Sequence, residues 1–140
     1  MIYLARTNLL RRYLSLQSLS KRKIVSTNEE SLKLGKLYVN PETIIQELDV
    51  LYEESEYEAK LMNSLKTNPI LSLSYEESFS TSSSIQSMTD KVFDFLGVTP
   101  IENRSNQRKI LPKSLDAIVE NYEELVEALQ ASRYAQYLID

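Results

Sequence analysis

The sequence predicts a helix-rich α/β fold with a small, incomplete parallel sheet. Three observations carry that reading. Short apolar runs at Met1–Ala5, Leu37–Val39 and Ile70–Tyr75 are separated by long stretches of helical spacing, and parallel strands need crossovers of that kind. Amphipathic, acidic patterns near residues 41–65 and 114–129 carry apolar side chains at helical spacing. Two or three strands are too few for a parallel sheet covered on both faces, so the chain reads as part of a larger fold.

In chain order, Met1–Ala5 is a strand ending at Arg6, and Asn8 is placed to cap a helix that runs to about Ser20. Residues 21–36 are polar, contain Ser26-Thr27-Asn28 and Gly35, and form a connection. Asn40-Pro41 opens a helix of about six turns. In it Ile44, Leu48, Leu51, Tyr52, Ala59, Met62 and Leu65 keep helical spacing. Asn68-Pro69 ends it, and Ile70–Tyr75 is the next strand, left at Glu76-Glu77. The hydroxyl-rich run Ser78–Ser84 reads as a loop or cap. Ile85, Met88, Val92, Phe93, Phe95 and Leu96 then form a helix stopped by Gly97. Residues 101–112 are an irregular basic loop. Ser114 caps one continuous helix whose Leu115, Ile118, Val119, Tyr122, Leu125, Val126 and Leu129 share a single apolar face, and a final short helix carries Tyr134, Tyr137 and Leu138.

A length of 140 residues suits a single domain, 1–140, able to bury roughly two-thirds of its unfolded surface. The chain has no Cys, His or Trp. That removes thiol and imidazole nucleophiles, histidine bases and zinc sites built on those ligands. Gly35 and Gly97 are the only glycines, so neither a Walker-A loop nor a G-x-G-x-x-G turn exists, and a self-contained nucleotide triphosphatase or Rossmann enzyme is excluded. The first 23 residues hold six basic side chains and no acidic one, whereas the remainder holds ten basic and twenty acidic. A basic start on an acidic body points to a small phosphate near the amino end and argues against nucleic acid. The competing reading of the basic stretch is a transit peptide or surface helix, with Leu9, Leu10, Leu14, Leu16 and Leu19 on one broad face. No apolar run is long enough to span a bilayer and no secretory signal is evident, so a soluble, cytoplasmic chain is expected.

The chemistry concentrates where the first strand meets the first helix. Unpaired N–H groups and the helix dipole favour an anion there, and basic side chains on the first turns strengthen the preference. Arg6, Asn8, Arg11, Arg12 and Ser15 occupy that corner. Arg11 and Arg12 stand four and three residues before Ser15, so a guanidinium and a hydroxyl can share one helical face and one phosphate. The same residues also suit a solvated helix face with ordinary capping.

The run Ile2-Tyr-Leu-Ala-Arg-Thr-Asn-Leu-Leu-Arg-Arg-Tyr-Leu-Ser15 resembles the strand, Arg, Asn or Asp, Arg and Ser segment of the sulfotransferases that use 3′-phosphoadenosine 5′-phosphosulfate. Leu73-Ser-Tyr-Glu-Glu77 is similar to that family's Tyr-Glu-Asp-Leu strand end, and Phe95-Leu-Gly-Val98 to the helix end that follows it. Asn121-Tyr-Glu-Glu-Leu125 and Tyr134-Ala-Gln-Tyr-Leu138 resemble the C-terminal helices of its bacterial branch. The resemblance implies a partial P-loop-like three-layer fold equivalent to the C-terminal half of a sulfotransferase domain. It implies transfer of sulfate from that cofactor to a hydroxyl acceptor such as a carbohydrate, with Ser15 binding the 3′-phosphate. The partner Arg lies eight residues before the Ser in many members, which is Thr7 here. Either the turn absorbs the offset and Arg6 serves, or Arg11 or Arg12 does. The loop holding Arg104, Arg108 and Lys109 falls where the family places a second basic contribution, which makes Arg108 and Lys109 further candidate ligands.

The half of the family that cradles the 5′-phosphosulfate and supplies the usual acid or base has no counterpart in these residues. The expectation is therefore weak binding of adenosine 3′,5′-bisphosphate and little turnover by the chain alone, with a separate N-terminal half or a homo-oligomer as possible completion. The alternative from another class is a non-enzymatic helical module whose acidic helices bind a partner surface. Glu53, Glu54, Glu56 and Glu58 read as a solvated helix face, and no metal is expected.

Overall fold

The computed structural model describes residues 1–22, 35–65, 67–102 and 114–139. The chain forms two compact units: Met1–Asn8 with Glu58–Ser105, and Leu9–Tyr57 with Asn106–Asp140. The helix-rich α/β character is present, with a two-stranded parallel sheet.

In the first unit, β1 (Ile2–Ala5) pairs with β2 (Leu71–Ser74) in parallel, Ile2 opposite Leu71 and Ala5 opposite Ser74. The amino terminus is tied down as well: the Met1 ammonium donates to the Pro69 carbonyl at 2.7 Å, and Leu71 N donates to the Met1 carbonyl at 3.0 Å. The strand expected to reach Tyr75 stops one residue earlier. Ser74 turns the chain into α3 (Tyr75–Ser78), its hydroxyl accepting from Glu77 N as a helix cap. The hydroxyl-rich run then divides between the end of α3 and the opening of α4 (Ser82–Leu96), where Thr81 Oγ1 accepts from Ser84 N at 3.1 Å. Gly97 ends α4 with φ 68°, a left-handed conformation that only glycine adopts without strain.

The second unit holds the hydrophobic core, made of α1 (Leu9–Arg22), most of α2 (Ile44–Ser64), α5 (Leu115–Ile118) and α6 (Tyr122–Leu129). Every buried apolar side chain among the described residues belongs to this unit; the first unit has none. On α1 the buried face is Leu9, Leu10, Tyr13 and Leu14, whereas Leu16 and Leu19 are exposed. The broad leucine face expected from the sequence is therefore narrower. Position 19 lies about 180° around the helix from position 10, whereas position 16 stands only about 20° from buried Leu9 and is exposed because the burial on that side ends two turns earlier. The helix expected at 41–65 is α2, but Pro41 stands in the turn before it, where Asn40 Oδ1 accepts from Glu42 N.

One expectation fails outright. The continuous helix from Ser114 to Leu129 is broken at Val119, which takes an extended conformation (φ −99°, ψ 129°) and forms a parallel bridge with Leu37. Leu37 N donates to the Ile118 carbonyl at 2.7 Å, and Glu120 N donates to the Leu37 carbonyl at 2.9 Å. Asn121 completes the break: Val39 N donates to its Oδ1 at 3.0 Å, and its Nδ2 donates to the Val39 carbonyl at 2.7 Å. Strand-like pairing with the 37–39 segment thus outcompetes helical continuity, and the brief strand expected there is reduced to this bridge. A 3₁₀ turn at Ala135–Leu138 closes the unit. Tyr134 Oη and Arg133 both donate to Asp49 Oδ1 at 2.6 Å, and the Arg133 guanidinium lies over the Tyr52 ring at 4.1 Å.

Candidate functional site

The corner at which an anion was expected does hold one, and it is a side chain of the protein. β1 ends at Ala5 and α1 begins at Leu9, so Arg6, Thr7 and Asn8 form the turn between them. Parallel pairing brings the start of α3 alongside the same end of β1, and Glu76 reaches this turn. Its Oε2 accepts from Thr7 N and from Thr7 Oγ1, both at 3.0 Å, and its Oε1 accepts from Asn8 N at 3.2 Å. Arg6 Nε lies 3.8 Å from Oε1. The Arg6 guanidinium also rests over the Tyr75 ring, 4.6 Å from its centre, and that ring packs on Phe79 at 4.9 Å. Tyr75 thus supports the arginine through its aromatic face.

Partial burial works to raise the Glu76 pKa, but hydrogen bonds from Thr7, from its own backbone N–H and from Asn8 outweigh that and hold it below the ordinary glutamate value. A carboxylate whose pKa is depressed by folding stabilises the fold fully above its unfolded-state value. That stability is lost as pH falls through the depressed folded-state value. The amide resonances of Thr7 and Asn8 are therefore expected to titrate in acid together, with a midpoint below the ordinary glutamate value. A midpoint at or above that value would show that these hydrogen bonds do not set the carboxylate's charge.

The remaining candidates stand in the second unit. Arg12 is held on α1 by α2, donating through one amino group to Ser55 Oγ at 3.1 Å and through the other to Glu54 Oε2 at 3.2 Å. Arg11 and Ser15 are half-buried, four residues apart on α1. Arg104, Arg108 and Lys109 lie outside the described residues. Of the glutamates on α2, Glu54 pairs with Arg12, and Glu58, in the first unit, accepts from Tyr3 Oη at 3.4 Å.

Sequence reasoning missed Glu76 as the occupant of the corner. The signal was present: an acid-free, basic turn and a pair of glutamates leaving the neighbouring strand are mutual counter-charges once the strands are parallel. Among the described residues no helix is long and apolar enough to cross a membrane. Compared with family models, curated proteins and solved structures, the chain matches none.

Proposed function

We propose that the chain is a sulfotransferase-type, P-loop-like half-domain that binds the 3′-phosphate of 3′-phosphoadenosine 5′-phosphosulfate, for sulfate transfer to a hydroxyl acceptor such as a carbohydrate. The observation that supports this most is the pairing of β1 with β2. Two of the segments carrying the family resemblance, Ile2–Ser15 and Leu73–Glu77, are far apart in the chain, yet in the first unit Arg6, Tyr75 and Glu76 meet at one end of one parallel strand pair.

The Thr7 and Asn8 amides are taken by Glu76, so the phosphate falls to side chains. Arg12 is committed to Glu54 and Ser55. Arg6, Arg11, Arg12 and Ser15 are the side chains that the resemblance offers as phosphate ligands, and Arg6 and Ser15 are the first to test. Sulfuryl transfer, like phosphoryl transfer, depends on positioning and charge neutralisation more than on covalent chemistry. These residues address the nucleotide's ribose-linked phosphate and leave the 5′-phosphosulfate to other groups.

Calorimetry with adenosine 3′,5′-bisphosphate tests the reading. Saturable binding is expected, weakened about tenfold or more by Ser15→Ala and by Arg6→Ala. A folded sample that gives no heat, or variants that bind as the parent does, would remove the assignment.

A further inference from the structure

A cleft of about 590 Å³ lies within the first unit, along β2, α3 and the opening turns of α4. Its wall is mostly serine. Several hydroxyls nearby are used locally: Ser74 accepts from Glu77 N, and Ser83 and Ser84 share hydrogen bonds with Thr81. Ser72, Ser78 and Ser87 line the cleft with no side-chain hydrogen bond among the described residues. Ser78 is the informative one. As a residue it is 7% exposed, and its hydroxyl oxygen is not sealed from solvent and borders the cleft.

Glu77 and Lys91 place one charge of each sign on the wall, which gives no net attraction for an anion. A serine hydroxyl both donates and accepts, so such a wall complements a ligand whose own groups do both. Leu71, Leu73 and Met88 add apolar surface suited to the C–H face of a sugar ring. The volume lies within the range of about 300–1,000 Å³ usual for small-molecule sites. We propose that this cleft binds a neutral polyhydroxylated ligand, a mono- or disaccharide. The proposal rests on residues other than those assigned to the nucleotide phosphate, so either can fail without the other.

The test is titration of the ¹⁵N-labelled full chain with glucose, galactose, N-acetylglucosamine and lactose, and separately with inorganic phosphate. At least one sugar should shift the amides of Ser72, Ser78 and Ser87 saturably, with a dissociation constant on the order of millimolar. Ser87→Ala, at an exposed helical position that accepts alanine, should weaken binding about fivefold or more, and Ser87→Thr, which restores a hydroxyl, should recover it. The variants' own spectra report whether they are folded. Silence at these residues with all four sugars up to about 100 mM, saturation by phosphate in place of sugar, or unchanged affinity in folded Ser87→Ala would each overturn the proposal.

Discussion

Leu48→Ala is expected to destabilise the second unit by about 3–4 kcal/mol, the usual cost of removing a fully enclosed leucine. Leu48 has no solvent exposure and belongs to the core cluster with Ile44, Leu51, Leu125 and Leu129. Close packing lets such a site collapse only partly, so a cavity term adds to the lost transfer energy. Leu61 on the same helix is 44% exposed, and Leu61→Ala should change stability by no more than about 0.5 kcal/mol. Urea unfolding followed by circular dichroism measures both. Equal effects would mean that the apolar stripe of α2 is not sorted between core and solvent as described.

Glu76→Ala carries the second large effect, a loss of about 2–3 kcal/mol in the first unit. The carboxylate accepts three hydrogen bonds from the β1–α1 turn, and its removal leaves two backbone N–H groups without that acceptor and deletes the ion pair with Arg6. Glu76→Gln keeps one carbonyl oxygen and should lose about half as much. Hydrogen exchange of the β1 amides reads the loss directly. Glu76→Ala has a second expected consequence: the turn, having lost this carboxylate, should take up inorganic phosphate with shifts at Thr7 and Asn8. An alanine variant as stable as the parent, with no phosphate response, would show that the corner does not depend on a negative charge.

Local signals made much of the fold legible. Parallel β1 and β2 followed from short apolar runs set far apart, and Gly97 marked the end of α4 because a left-handed residue is needed there. The break at Val119 was not legible. Its apolar spacing fits a helix as well as it fits the structure, and only the distant backbone of Leu37 and Val39 makes the extended alternative better. At the candidate site the residue types were readable and their commitments were not. Arg12 looks equivalent to Arg11 in sequence, yet Glu54 and Ser55, more than forty positions away, hold it. The demand for an anion at the first turn was physically sound, and the topology met it with Glu76.

The two-stranded sheet has one further consequence. Among the described residues β1 pairs on a single side, and Ile2 and Leu4 remain 40% and 46% exposed. An open strand border flanked by apolar side chains gives a further extended segment a place to add to the sheet.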